Sequence, residues 1–107
     1  LMPKKFSINK AENDSFSDSF ARIECHYFVN NIFLEDNYIL KNISELNEIP
    51  VSIVQGRYDI VCPMRSAWDL KKSLPSSKLY VIDNAGHSMK EIGITNKLIE
   101  LTNNLTD

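Results

Sequence analysis

The sequence predicts a mixed α/β fold whose second half is a strand-helix-strand-helix unit with parallel strands, preceded by helical sequence. Two short runs rich in β-branched and aromatic residues, Val51-Ser52-Ile53-Val54 and Leu79-Tyr80-Val81-Ile82, read as buried strands. Between and after them the apolar residues recur at helical spacing, and strands joined through a helix pair in parallel. The crossover of such a unit is expected to be right-handed, with both sheet faces buried.

Residues before Ser15 are polar and irregular, which predicts a surface connector or the remnant of a longer element. Over 15–30, Phe16, Phe20, Ile23 and Tyr27 fall on one helical face, and Ser15 with Asp18 offers a capping pair at its start. Over 36–46, Tyr38, Ile39, Ile43 and Leu46 predict a short helix, which Pro50 then closes off. The first strand ends at Gly56. Over 64–74 a helix is predicted with Ala67, Trp68, Leu70 and Leu74 on its apolar side. Pro63 suits its start, Lys71 and Lys72 complement its negative end, and Pro75 stops it. After the second strand, residues 83–86 form a turn, and Ile94, Leu98, Leu101 and Leu105 mark one side of a last helix.

With 107 residues, 43% of them hydrophobic and 24% charged, the chain has the composition of one folded unit or of part of one. A net charge of −2, with the basic residues in short pairs such as Lys4-Lys5 and Lys71-Lys72, argues against nucleic acid as a partner. No apolar run reaches the ~20 residues of a membrane span, and no secretory signal follows the first lysines. Two cysteines, Cys25 and Cys62, make no disulfide framework and point to free thiols in a reducing compartment, hence to the cytoplasm. Together with His26 and His87 they lack the spacing of a zinc site, so no metal and no cofactor is expected.

Parallel strands end at one edge of the sheet, where proteins of this class hold their ligands. Gly56-Arg57-Tyr58-Asp59 follows the first strand and Asp83-Asn84-Ala85-Gly86-His87 follows the second. Strands lie about 4.8 Å apart, so a carboxylate at Asp59 can reach the ring of His87. In such a pair the carboxylate accepts one ring N–H and so fixes the tautomer, leaving the other nitrogen as a general base and later a general acid. The same residues also serve ordinary turns, and spacing alone leaves both readings open.

The wider context of these residues resembles a known family. Gln55-Gly56-Arg57-Tyr58-Asp59, continuing through Ile60-Val61-Cys62-Pro63-Met64-Arg65-Ser66-Ala67, is similar to the stretch around the triad aspartate of prolyl aminopeptidases, also called proline iminopeptidases. Asn84-Ala85-Gly86-His87-Ser88 resembles their triad-histidine loop, and Ala21-Arg22-Ile23-Glu24-Cys25-His26-Tyr27-Phe28 resembles a cap-helix motif. The resemblance implies an α/β-hydrolase with a helical cap that removes an N-terminal proline by serine catalysis without a cofactor. By the same resemblance Asp59 and His87 correspond to the triad acid and base. Glu24 matches a cap glutamate that binds the substrate's free α-amino group, for which a carboxylate is the fitting partner.

On that basis residues 1–48 are expected to be part of the helical cap and a connector, and residues 49–107 the C-terminal part of the hydrolase core. No G-x-S-x-G nucleophile elbow occurs in the sequence, and Ser88, directly after His87, does not stand in that motif, which a nucleophile needs for its strained strand-to-helix turn. The expectation is therefore a C-terminal fragment of a serine aminopeptidase, inactive by itself, whose nucleophile lies in an N-terminal portion outside this chain. Its exposed strand edges are expected to pair with that portion or with a second copy. Two other readings stay open: a hydrolase fragment acting on another aminoacyl peptide, ester or amide, and a non-catalytic interaction remnant.

Overall fold

A computed structural model describes residues 14–105. The chain divides into two compact units, with the boundary between Tyr38 and Ile39.

The first unit is built on helix α1 (Asp14–Val29). It begins one residue before the predicted cap, so Ser15 lies in its first turn, and Asp18 faces Arg22 one turn on at 3.6 Å. Phe16 and Phe20 stack along the predicted face with centroids 5.7 Å apart. After α1 the chain enters a 3-10 turn, Asn31–Phe33, in which all three residues have positive φ, as does Asn37. Asparagine tolerates this region, but a β-branched residue such as Ile32 rarely enters it. The turn folds Phe33 back onto α1, edge-on to Tyr27 at 5.4 Å and tilted against His26 at 5.3 Å.

The second unit carries the α/β architecture. The helix expected over 36–46 is two short pieces, the single turn α2 (Tyr38–Lys41) and a 3-10 turn Ile43–Leu46, separated at Asn42. Strand β1 (Ser52–Gly56), helix α3 (Met64–Ser73), strand β2 (Lys78–Ile82) and helix α4 (Ile92–Asn103) follow in the predicted order. β1 and β2 pair in parallel, from Ser52 opposite Lys78 to Gly56 opposite Ile82. Both helices pack on β1.

The core of this unit is small. Leu74, fully buried, joins Ala67 of α3, Ile94 of α4 and Ala85 of the loop after β2. Leu74 ends α3 by donating its N–H to the Leu70 carbonyl, and Lys71 Nζ donates to the Pro75 carbonyl at 2.7 Å, closing the negative end as its charge suggests. Pro63 sits just outside the first turn as the N-cap, in extended geometry. Trp68 lies 53% exposed, because α3 is buried through its small residue Ala67 and through Leu74 at its end. Leu105, assigned to the apolar side of the last helix, falls beyond its end and is exposed.

Candidate active site

The two loops that follow β1 and β2 continue the strand pairing past the strand ends. Arg57 N–H donates to the Ile82 carbonyl at 3.0 Å and Tyr58 N–H to the Ala85 carbonyl at 2.9 Å. Gly56 is what lets them meet: a Cβ there would overlap the carbonyl oxygens of Gly86 and Ala85. An ion pair locks the rim from outside, Arg57 Nε and Nη2 lying 2.7 and 2.6 Å from Asp83 Oδ1.

This zipper brings Asp59 and His87 together. His87 Nδ1 lies 3.1 Å from Asp59 Oδ2 and 3.2 Å from Oδ1, across 28 residues of sequence. With the proton on Nδ1 the ring donates to the carboxylate, and Nε2 is left with a free lone pair. The Asp59 side chain is 8% exposed and the His87 side chain 53%, so the carboxylate is sheltered while the ring is open to a reactant.

Asp59 is held by more than the histidine. Its Oδ1 accepts the N–H groups of Val61 at 3.0 Å and Cys62 at 2.8 Å, an Asx-type turn that fixes the carboxylate's orientation. Burial pushes the Asp59 carboxyl up, but the Cys62 N–H, the contact with His87 and the Val61 N–H together outweigh it and hold it below its ordinary value. The group is thus an anion where an imidazolium would need one. Gln55 steadies the same turn by donating from Nε2 to the Cys62 carbonyl at 2.9 Å.

The histidine loop has an anchor that sequence reading did not single out. Glu91, the N-cap of α4, accepts the Gly86 N–H on Oε2 at 2.9 Å and the Ser88 N–H on Oε1 at 3.3 Å. The carboxylate thus clasps the backbone on both sides of His87. Gly93 lets α4 start close by, since a Cβ there would press on Ile82 Cγ2 at 2.7 Å. Ser88 N–H is used in this clasp and its Oγ accepts from Lys90 N–H at 3.2 Å, the arrangement of a turn residue.

Glu24, the third residue singled out, is exposed on α1 in the first unit, and the dyad belongs to the second. Cys25 and Cys62 are both exposed free thiols, and Cys62 belongs to the Asp59 turn.

Comparison with known proteins gives these loops a context. A probable proline iminopeptidase of Leptolyngbya boryana is 56% identical over 95 residues, covering 88% of this chain. The chain is homologous to the proline iminopeptidases. A proline iminopeptidase of Arabidopsis thaliana is 49% identical over 100 residues, 92% of the chain, and one of Neisseria gonorrhoeae is 40% identical over 98 residues, 90% of the chain. The chain spans only 30%, 26% and 31% of the lengths of these three proline iminopeptidases. No family model matches it. Homology to this family of α/β-hydrolases agrees with the parallel β1–β2 pair and its flanking helices, which form part of such a fold.

Proposed function

We propose that this chain supplies the acid–base half of a serine aminopeptidase that releases an N-terminal proline, the nucleophilic serine coming from residues outside it. The observation that carries this reading is the Asp59–His87 contact at the rim of a parallel strand pair. Asp59 keeps the proton on Nδ1 and balances the imidazolium that forms when Nε2 takes the proton of the serine hydroxyl. The serine oxygen then attacks the prolyl carbonyl, and His87 returns the proton to the departing amine. Water repeats the cycle on the prolyl ester, with His87 again as base, then acid. No metal or cofactor takes part in these steps.

Glu24 is the residue we assign to the substrate's free end. A carboxylate attracts the protonated secondary amine of proline, and a peptide without a free end would leave that carboxylate unpaired. Residues 1–48 then form part of the cap and a connector, and residues 49–107 the end of the hydrolase core. Two exposed free thiols fit a cytoplasmic protein.

Proline release from a chromogenic prolyl amide tests the proposal in two forms. The 107-residue chain alone is expected to show no turnover above a His87→Ala control. A chimera in which this chain replaces the matching segment of the Leptolyngbya boryana relative is expected to release proline, and Asp59→Asn is expected to lower its kcat by roughly 10⁴-fold. A folded chimera that ignores both Asp59→Asn and His87→Ala would sink the assignment. In the same chimera Glu24→Gln should raise KM for the prolyl amide far more than it lowers kcat.

A further inference from the structure

The Cys62 thiol has no part in the acid–base chemistry, yet it sits beside it, since the Cys62 N–H holds Asp59. Its Sγ, a carboxylate oxygen of Asp59 and a ring nitrogen of His87 lie within 4.8 Å of one another. Among the described residues this is the one cluster of three metal-ligating side chains of different type. We propose that Asp59, Cys62 and His87 form a binding site for a borderline-soft divalent cation of the zinc type, and that its occupation switches off His87 as a base.

The donor set selects the ion. Thiolate and imidazole favour zinc or cadmium, whereas magnesium and calcium take oxygen ligands. One carboxylate and one thiolate also neutralise a divalent charge. Zinc bonds of about 2.0–2.3 Å in tetrahedral geometry place ligands roughly 3.5 Å apart. His87 Nδ1 and Asp59 Oδ2 are already 3.1 Å apart, so the outstanding closure falls mainly on Cys62, which is exposed and in no disulfide. Asp59 Oδ1 is engaged by the Val61 and Cys62 N–H groups, which leaves Oδ2 for the ion. Water completes the fourth position, and the thiol proton leaves to solvent on binding.

Either ring nitrogen gives the same outcome. A cation on Nδ1 displaces the proton that Asp59 accepts and forces the ring's remaining proton onto Nε2. A cation on Nε2 takes the basic lone pair itself. The inhibitory consequence rests on the catalytic reading of His87, whereas the binding rests on the three ligands alone, and the two are measured separately.

The binding experiment uses the 107-residue chain with cadmium or zinc alone. Cadmium is expected to produce a thiolate charge-transfer band in the ultraviolet that saturates at one ion per chain. Zinc should displace it and raise the melting temperature, because the three ligands converge only when both loops are folded. Cys62→Ser should abolish the band, and His87→Ala should weaken affinity by more than roughly tenfold, the scale at which even supporting residues around metals act. Cys25→Ser should leave both unchanged. A flat titration overturns the site, and so does a band that depends equally on Cys25 and Cys62. In the active chimera, zinc inhibition relieved by Cys62→Ser tests the consequence, and binding without inhibition overturns only that part.

Discussion

Two opposing effects act on the Asp59 carboxylate: burial, which favours the neutral acid, and donors from Cys62, His87 and Val61, which favour the anion and prevail. A carboxyl held below its unfolded value of about 3.8 binds fewer protons folded than unfolded, so its contribution to stability is fully present above that value. The contribution is lost as pH falls through and below it. The expected result is an acid limb in the unfolding midpoint, setting in as pH falls through the unfolded value, that Asp59→Asn flattens. Urea titrations at stepped pH read this directly, and an identical limb in both proteins would assign the stabilisation elsewhere. Glu91 acts at the same scale by holding the backbone on both sides of His87. Glu91→Ala leaves two part-buried N–H groups without their acceptor, a loss of about 1–3 kcal/mol. Glu91→Gln retains an acceptor oxygen and should recover part of it. In the chimera the alanine variant should lower kcat with little change in KM, since it misplaces the base without touching substrate.

At the scale of elements, the site depends on how closely two strand ends approach. Gly56 lies where β1 becomes the Asp59 loop, against the carbonyls of the histidine loop. Gly56→Ala is expected to force those loops apart, costing about 1–3 kcal/mol as overpacking does and lengthening the Asp59–His87 contact. The downfield resonance of the His87 Nδ1 proton should then weaken or vanish at neutral pH, and its persistence unchanged would show that the backbone absorbs the methyl without moving the pair. This juxtaposition was legible in sequence, because a β-branched run ended by glycine marks a strand and parallel strands end at one edge. The Glu91 clasp was not, because it depends on how the turn after His87 folds back five residues, which no periodicity records. The same limit explains the 3-10 turn Asn31–Phe33: Asn31 tolerates positive φ, but nothing in the sequence forces Ile32 and Phe33 to follow. It also explains Trp68, whose place on an apolar stripe says that it is suited to burial and not that a partner lies opposite.

At the scale of the molecule, burial is concentrated in one unit. No described residue from 15 to 50 is buried, whereas Gly56, Ala67, Leu74, Ser77, Ala85 and Ile94 all are. α1 exposes Phe20, Ile23, Tyr27 and Phe28 by 47% or more, so the apolar face that its sequence encodes contributes little burial free energy. An isolated helix of this length is marginal in water. The β1–β2 unit is different, because opening it exposes Leu74 and Ile94 and breaks the paired loops together. Hydrogen exchange on the 107-residue chain should therefore be graded: amides of α1 exchange at nearly the rate of an open peptide, while those of Val54, Tyr80 and Val81 are the slowest. Leu74→Ala, costing about 2–5 kcal/mol from so small a core, should collapse the strand protection and leave α1 exchange unchanged. Equal protection of α1 and β1 in the unaltered chain would mean that the helix's apolar face is covered in solution, and would place the two units in one cooperative fold.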